Sequence, residues 1–135
     1  MKREDLVNAA IDMIGTPFHA QGRSPGVGLD CIGLIVCAAK KAGFEAEDQT
    51  AYPMQPNGML KPILEKHLIR VIGEPQAGDV LLMAFNGTEP HHVALYIGNH
   101  MIIHAYNQAR KVSMQIYTNY WKEKVRAIYR FPEIE

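Results

Sequence analysis

The sequence predicts an α+β fold, on three observations. Helical periodicity is confined to the first half of the chain, and short apolar runs rich in β-branched residues fill the second. Between residues 31 and 42 lies a segment apolar on nearly every side, which reads as a buried helix that the rest must pack around. Helices first and a meander of strands afterwards is the α+β order.

The elements follow in turn. Leu6, Val7, Ala10, Ile11 and Ile14 share one face of a helix over 3–14, which Gly15-Thr16-Pro17 ends. A loop carrying Gly22, Arg23, Ser24, Pro25, Gly26 and Gly28 comes next. Its Gly26-Val27-Gly28 lacks the further glycine and the preceding strand that a phosphate-cradling motif needs. The buried helix then runs from Cys31 to Ala42, with Asp30 as N-cap and Gly43 at the position where a left-handed residue closes a helix. Residues 44–58 are turn-rich, with Pro53, Pro56 and Asn57-Gly58, and a short helix over 59–68 is marked by Met59, Leu60, Ile63, Leu64 and Leu68. About five strands complete the chain: 80–85, 93–97 opening at His92, 101–106, 112–117 and 125–129.

The 135 residues fit a single domain, 1–135, with 47% hydrophobic and 21% charged residues. Fourteen basic residues cancel fourteen acidic ones, so no electrostatic footprint points to nucleic acid or to an anionic membrane as partner. No apolar run approaches the ~20 residues that cross a bilayer. The charged, amphipathic start Met1-Lys2-Arg3-Glu4-Asp5 lacks the pattern of a signal peptide, which leads us to expect synthesis in the cytoplasm. Cys31 and Cys37 are poorly placed for a disulfide on one helix and form no C-x-x-C pair; Cys37 reads as a small buried hydrophobe.

Cys31 falls in the first turn of the buried helix, where the dipole and unpaired N–H groups favour a thiolate near neutral pH. Six histidines could serve it, at 19, 67, 91, 92, 100 and 104, and strand parity discriminates among them. A three-residue loop Gly98-Asn99-His100 sets Ile97 opposite Met101, Ala94 opposite His104 and His92 opposite Tyr106. His92 and His104 are then diagonal neighbours on one side, roughly 7 Å apart between α-carbons. A two-residue loop slips the register by one and puts His91 in place of His92. The first register keeps Val93, Leu95 and Ile97 on one apolar face and is the one we take. Cys31 as nucleophile, His92 as base and His104 as the group that orients it follow the logic of a cysteine hydrolase, with the Cys31 amide available to an oxyanion.

Four motifs, in order, then resemble one family. Asp30-Cys31-Ile32-Gly33-Leu34 is similar to the Asp-Cys-Ser-Gly-Leu nucleophile motif of the NlpC-type bacterial cell-wall cysteine peptidases. Gly15-Thr16-Pro17-Phe18 resembles their Gly-x-Pro-Tyr segment, and Pro75-Gln76-Ala77-Gly78-Asp79 their Pro-x-x-Gly-Asp stretch. His92-Val93-Ala94-Leu95-Tyr96-Ile97-Gly98 and Ile103-His104-Ala105 are similar to the two histidine motifs. The resemblance implies a papain-like fold with the nucleophile helix packed on an antiparallel sheet. It also implies cleavage of peptidoglycan stem peptides, commonly between γ-D-glutamate and the diamino acid, with no metal or organic cofactor. It carries the catalytic roles onto Cys31, His92 and His104, and implies substrate contacts by Asp30 and Phe18. Ile32 and Phe18 replace a serine and a tyrosine of the family pattern. Asp-Cys-Ile-Gly together with the Gly-Arg-x-Pro-Gly segment is most similar to the phage-tail branch, which implies tail proteins as partners and delivery to the wall by a virion. Rival readings are a tail assembly protein of the same fold, and an amidase or acyltransferase acting on another acyl group. A zinc site from Cys31, His92 and His104 would want a fourth protein ligand.

Overall fold

The structure, a computed structural model, describes residues 1–44, 59–87 and 89–135. The expected turns over 45–58 lie outside the described residues. Helix α1, Arg3–Ile11, is followed by a two-stranded ribbon of β1, Arg23–Ser24, and β2, Gly28–Leu29. Helix α2 spans Cys31–Lys41 and α3 Leu60–His67. Then come β3, Ile69–Val71; β4, Val80–Met83; β5, His92–Gly98; β6, Met101–Tyr106; β7, Lys111–Ile116; α4, Asn119–Lys122; and β8, Val125–Arg130.

The main sheet is antiparallel throughout, in the order β3-β8-β4-β5-β6-β7. It has six strands where the sequence suggests five. The addition, β3, is three residues long, lies against β8 at one edge and leaves Ile69 and Arg70 exposed. A strand that buries nothing produces no apolar alternation, so only its pairing reveals it. Helix α1 ends earlier than expected, at Ile11, and residues 12–15 finish in turns.

Alternation along the strands splits the core in two. Val80, Leu82, Val93, Leu95, Ile103, Ala105 and Val112 face α1 and α2, joining Leu6, Ala10, Leu34, Ile35 and Ala38. Leu81, Met83, Ala94, Tyr96 and Ile102 face the other way, under Tyr117 and Trp121. Helix α2 buries Cys31, Ile32, Gly33, Leu34, Ile35, Ala38 and Ala39, as an all-round apolar helix must. Both its ends are built as their residues dictate. Asp30 accepts from the Gly33 amide at 2.7 Å. At the other end Gly43 takes φ +98°, Phe44 N–H bonds the Ala39 carbonyl at 2.9 Å and Gly43 N–H the Lys40 carbonyl at 3.1 Å, the paired bonds of a Schellman close.

One buried charge ties the ends of the chain to the sheet. Asp79, with no exposed surface, takes two 2.8 Å bonds from the Arg130 guanidinium on β8 and one of 2.8 Å from the Gln76 amide. Arg3 of α1 stands 3.8 Å away. The Gly-Asp stretch before β4 is thus a bidentate anchor.

The β5–β6 hairpin differs from expectation in an instructive way. Its turn has two residues, Asn99 and His100, both left-handed at φ 53° and 59°, closed by Gly98 opposite Met101. A two-residue turn alone would bring His91 into the place of His92. It does not, because an irregularity between Tyr96 and Gly98 absorbs one residue, and beyond it Tyr96 pairs with Ile102 and Leu95 with Ile103. That is the register expected from a three-residue loop.

Candidate active site

Cys31 sits where helix α2 meets the open end of the β5–β6 hairpin. The hairpin ladder runs back from the turn only as far as Leu95 and Ile103. Before that point the strands part, and the Val93 amide turns instead to the Cys31 sulfur. The amides of Cys31 and Ile32 point at the same atom, as expected of a first helical turn. The thiol therefore lies against the backbone one residue beyond His92. Val93 itself faces α2, while His92, Ala94 and Tyr96 belong to the opposite face. Cys31 thus meets the histidine strand at the Val93 amide, one residue from His92, while the His92 side chain belongs to the other face of the sheet.

The two histidines are in direct contact. His92 Nε2 and His104 Nδ1 are 2.7 Å apart, and His104 Nε2 lies 2.9 Å from Gln115 Oε1 on β7. Aromatic rings wall them in: Tyr106 stacks on His104 at 5.2 Å between centroids, Trp121 meets it edge-on at 4.8 Å, and Phe85 lies 5.6 Å from His92. His91 lies beside this pair; its Nδ1 is 2.9 Å from the Glu89 carbonyl oxygen and its ring meets Phe85 at 5.2 Å. His19 and His100 are exposed.

Gln115 is the member of this group that residue spacing did not single out. Its signal was present, since Ser113 and Gln115 are the polar positions of an otherwise apolar alternation on β7. Ser113 pairs directly with His104, which places both residues on the histidine side of the sheet.

The electrostatics correct one expectation. Burial, and after it the charge of Asp30, push the Cys31 thiol up to about 12, against the three amides that favour its thiolate. Burial, with His104 and His91 beside it, holds His92 well below its ordinary value. His104 is lowered to about 4 by burial, which the bond to Gln115 partly opposes. The resting pair is thus a neutral thiol and a neutral imidazole. The helix end is present, but its pull on the thiol is outweighed by the dryness of the site.

The two expected substrate contacts are placed differently. Asp30 is wholly buried, and its oxygens accept from Gly33 N at 2.7 Å, Gln21 N at 2.9 Å and Arg23 Nη1 at 3.1 Å. There it caps the helix and binds the preceding loop. Phe18 is half-buried against the main core and bridges Leu29 of β2, just ahead of Cys31. Cys37 is also half-buried, its sulfur 3.3 Å from the Arg23 carbonyl oxygen.

The histidine shifts make stability depend on pH with a definite sign. A histidine depressed in the folded state is protonated more readily in the unfolded one. Its contribution is complete above about pH 6.5 and is lost as pH falls toward the folded value. For His104, moved from 6.5 to about 4, the full loss is on the order of 3 kcal/mol. Urea unfolding should show stability falling between pH 6.5 and 4, with a shallower fall in His104→Asn. Equal slopes for the two proteins would contradict the assignment.

Comparison with known proteins identifies the family. Residues 15–130 match the NlpC/P60 family. The chain is 27% identical over 126 residues to the probable peptidoglycan endopeptidase LytE of Bacillus subtilis, covering 93% of this chain and 34% of that protein. It is 30% identical over 113 residues to a γ-D-glutamyl-L-lysine dipeptidyl-peptidase of Bacillus cereus, covering 82% of this chain and 31% of that one. It thus spans about a third of the length of these curated relatives. Among solved structures, an NlpC/P60 family protein from Bacillus cereus superposes with a TM-score of 0.73 at 26% identity, covering 96% of this chain and 40% of that chain. The family match spans the Cys31 helix, both histidine strands and β7, and on it the chain belongs to the NlpC/P60 family.

Proposed function

We propose that this domain is a cysteine endopeptidase of peptidoglycan stem peptides, cutting between γ-D-glutamate and the diamino acid. The observation that carries the reading is the His92–His104 hydrogen bond beside a cysteine held at a helix N-terminus. The names of the two relatives support the substrate class, and that of the Bacillus cereus dipeptidyl-peptidase supports the bond.

The mechanism follows from a neutral resting pair. His92 engages His104 through Nε2, which leaves Nδ1 to take the proton from Cys31 as sulfur attacks the substrate carbonyl. The tetrahedral oxyanion is met by the Cys31 amide. His92, now protonated, gives its proton to the departing amine, and an acyl-thioester remains. Water, deprotonated by the same nitrogen, then releases the acid and restores the thiol. His104 holds the His92 ring through both steps. Because the thiol ionises only as its proton is taken, charge separation is confined to the moment when substrate fills the site.

Digestion of purified peptidoglycan, read by mass spectrometry, tests this. Wild type should release fragments with a new free amine on the diamino acid, and Cys31→Ala should release none. Equal release from both, or none from either, would overturn the hydrolase reading and favour an assembly role. The similarity of Asp-Cys-Ile-Gly and the Gly-Arg-x-Pro-Gly segment to the phage-tail branch supports the further proposal that a virion carries the domain to the wall. Its absence from purified tails of the producing phage would count against that delivery.

A further inference from the structure

Gln115 closes a chain of three side chains that begins at the base. The order is His92 Nδ1, His92 Nε2 to His104 Nδ1 at 2.7 Å, and His104 Nε2 to Gln115 Oε1 at 2.9 Å. Each imidazole carries one proton when neutral, so the partner at one nitrogen decides what the other can do. An acceptor at His104 Nε2 requires the proton there, which leaves Nδ1 bare. A bare Nδ1 accepts from His92 Nε2–H, and His92 Nδ1 is then unprotonated and able to take the thiol proton. If the end of the chain donated instead, every proton would move over and His92 would present N–H to the thiol. A neutral base with its proton on the wrong nitrogen cannot act.

We propose that Gln115 is a positioning residue whose carbonyl oxygen sets the tautomers of His104 and, through it, of His92, so that the base presents its bare nitrogen to Cys31. This rests on the reading of Cys31 and His92 as nucleophile and base. A neutral amide suits the task. It accepts a hydrogen bond without bringing a full negative charge, which would raise the pH at which His104 takes a second proton and becomes a cation against His92. Around the pair the facing side chains are Phe85 before β5, His92 on β5, Tyr106 on β6, Ser113 and Gln115 on β7 and Trp121 on α4, with His91 acting on His92 from the preceding segment. None of these is a carboxylate, and Gln115 Oε1 is the acceptor at hydrogen-bond distance from His104 Nε2.

Two variants separate this role from mere packing. Gln115→Met keeps the length of the side chain and removes the acceptor. Gln115→Glu keeps an acceptor that cannot donate. Nitrogen-15 imidazole spectra of the wild-type chain at pH 7.5 should place the proton of both histidines on Nε2. In Gln115→Met both should become mixtures of tautomers, with kcat lowered about 10- to 100-fold and KM within about twofold. Gln115→Glu should restore the Nε2–H tautomers and most of kcat, and should move the acid limb of the kcat profile to higher pH as His104 becomes easier to protonate. Nδ1–H on His92 in the wild type would overturn the proposal. So would a Gln115→Met protein with unchanged spectra, or a Gln115→Glu protein no better than Gln115→Met. The spectra need no substrate. A wild type that fails to cut peptidoglycan but shows these tautomer shifts would refute the hydrolase reading and leave the role of Gln115 standing.

Discussion

Replacing His92 by alanine is expected to lower kcat/KM at neutral pH by about 10³- to 10⁴-fold. The size follows from the thiol. With burial pushing the Cys31 thiol up to about 12, almost no thiolate forms at pH 7.5 unless a base removes the proton. The pH profile carries the diagnosis. Without the base, activity should climb about tenfold per pH unit between pH 7 and 10, as hydroxide does what His92 did, while the wild type stays nearly level over the same range. A His92→Ala protein with a level profile and more than a tenth of wild-type activity would show that some other group takes the proton. Alkylation tells the same story without substrate: the Cys31 thiol of the free wild type should react with iodoacetamide more slowly at pH 7.5 than an ordinary thiol of pKa ~8.5.

Gly33→Ala should cost about 3 kcal/mol of stability, or roughly 10 °C in Tm. Gly33 is the third residue of α2, the one whose amide Asp30 caps. A Cβ there would run into the Gly22 carbonyl oxygen, with Arg23 Nη1 at 3.1 Å and Asp30 Oδ1 at 3.2 Å. The obstacle is backbone, not the movable end of a side chain. Relief requires moving the 22–23 loop off the helix, which disturbs the Asp30 cap and its ion pair with Arg23 together. Gly43 provides the comparison, because a Cβ there would meet nothing within 4 Å and only its φ of +98° argues for glycine. Gly43→Ala should therefore cost about 1 kcal/mol. Thermal unfolding of the two variants side by side decides the point, and a loss no larger at Gly33 than at Gly43 would show that the loop yields freely.

Where one element's residues determined an outcome, the sequence was enough to read it. Both ends of α2 follow from Asp30 and Gly43, and its burial from its composition. Strands β4 to β8 follow from their short apolar runs between turn residues, and the facing of His92 toward His104 from parity. Three features depend on residues far apart in the chain and could not be read that way. Strand β3 exists because β8 offers it an edge. Asp30 is buried because Gln21 and Arg23 fold back over it. The thiol keeps its proton because the sheet dries it, and dryness is a property of the assembled site. Gln115 lies between these cases: its side of the strand was legible, but its partner depended on the reach of two side chains.

The irregularity between Tyr96 and Gly98 acts on the hairpin as a suppressor acts on a shifted reading frame. The tight Asn99-His100 turn puts the strand one step out of phase, and the extra residue restores the phase before the chain arrives at His92. Deleting the extra residue Ile97 would remove the irregularity and leave Tyr96 opposite Ile102 and His92 in place, whereas forcing Ile97 into regular pairing at constant length would exchange His91 for His92 on the histidine side. What holds His92 in place is thus the one residue left out of the ladder, Ile97.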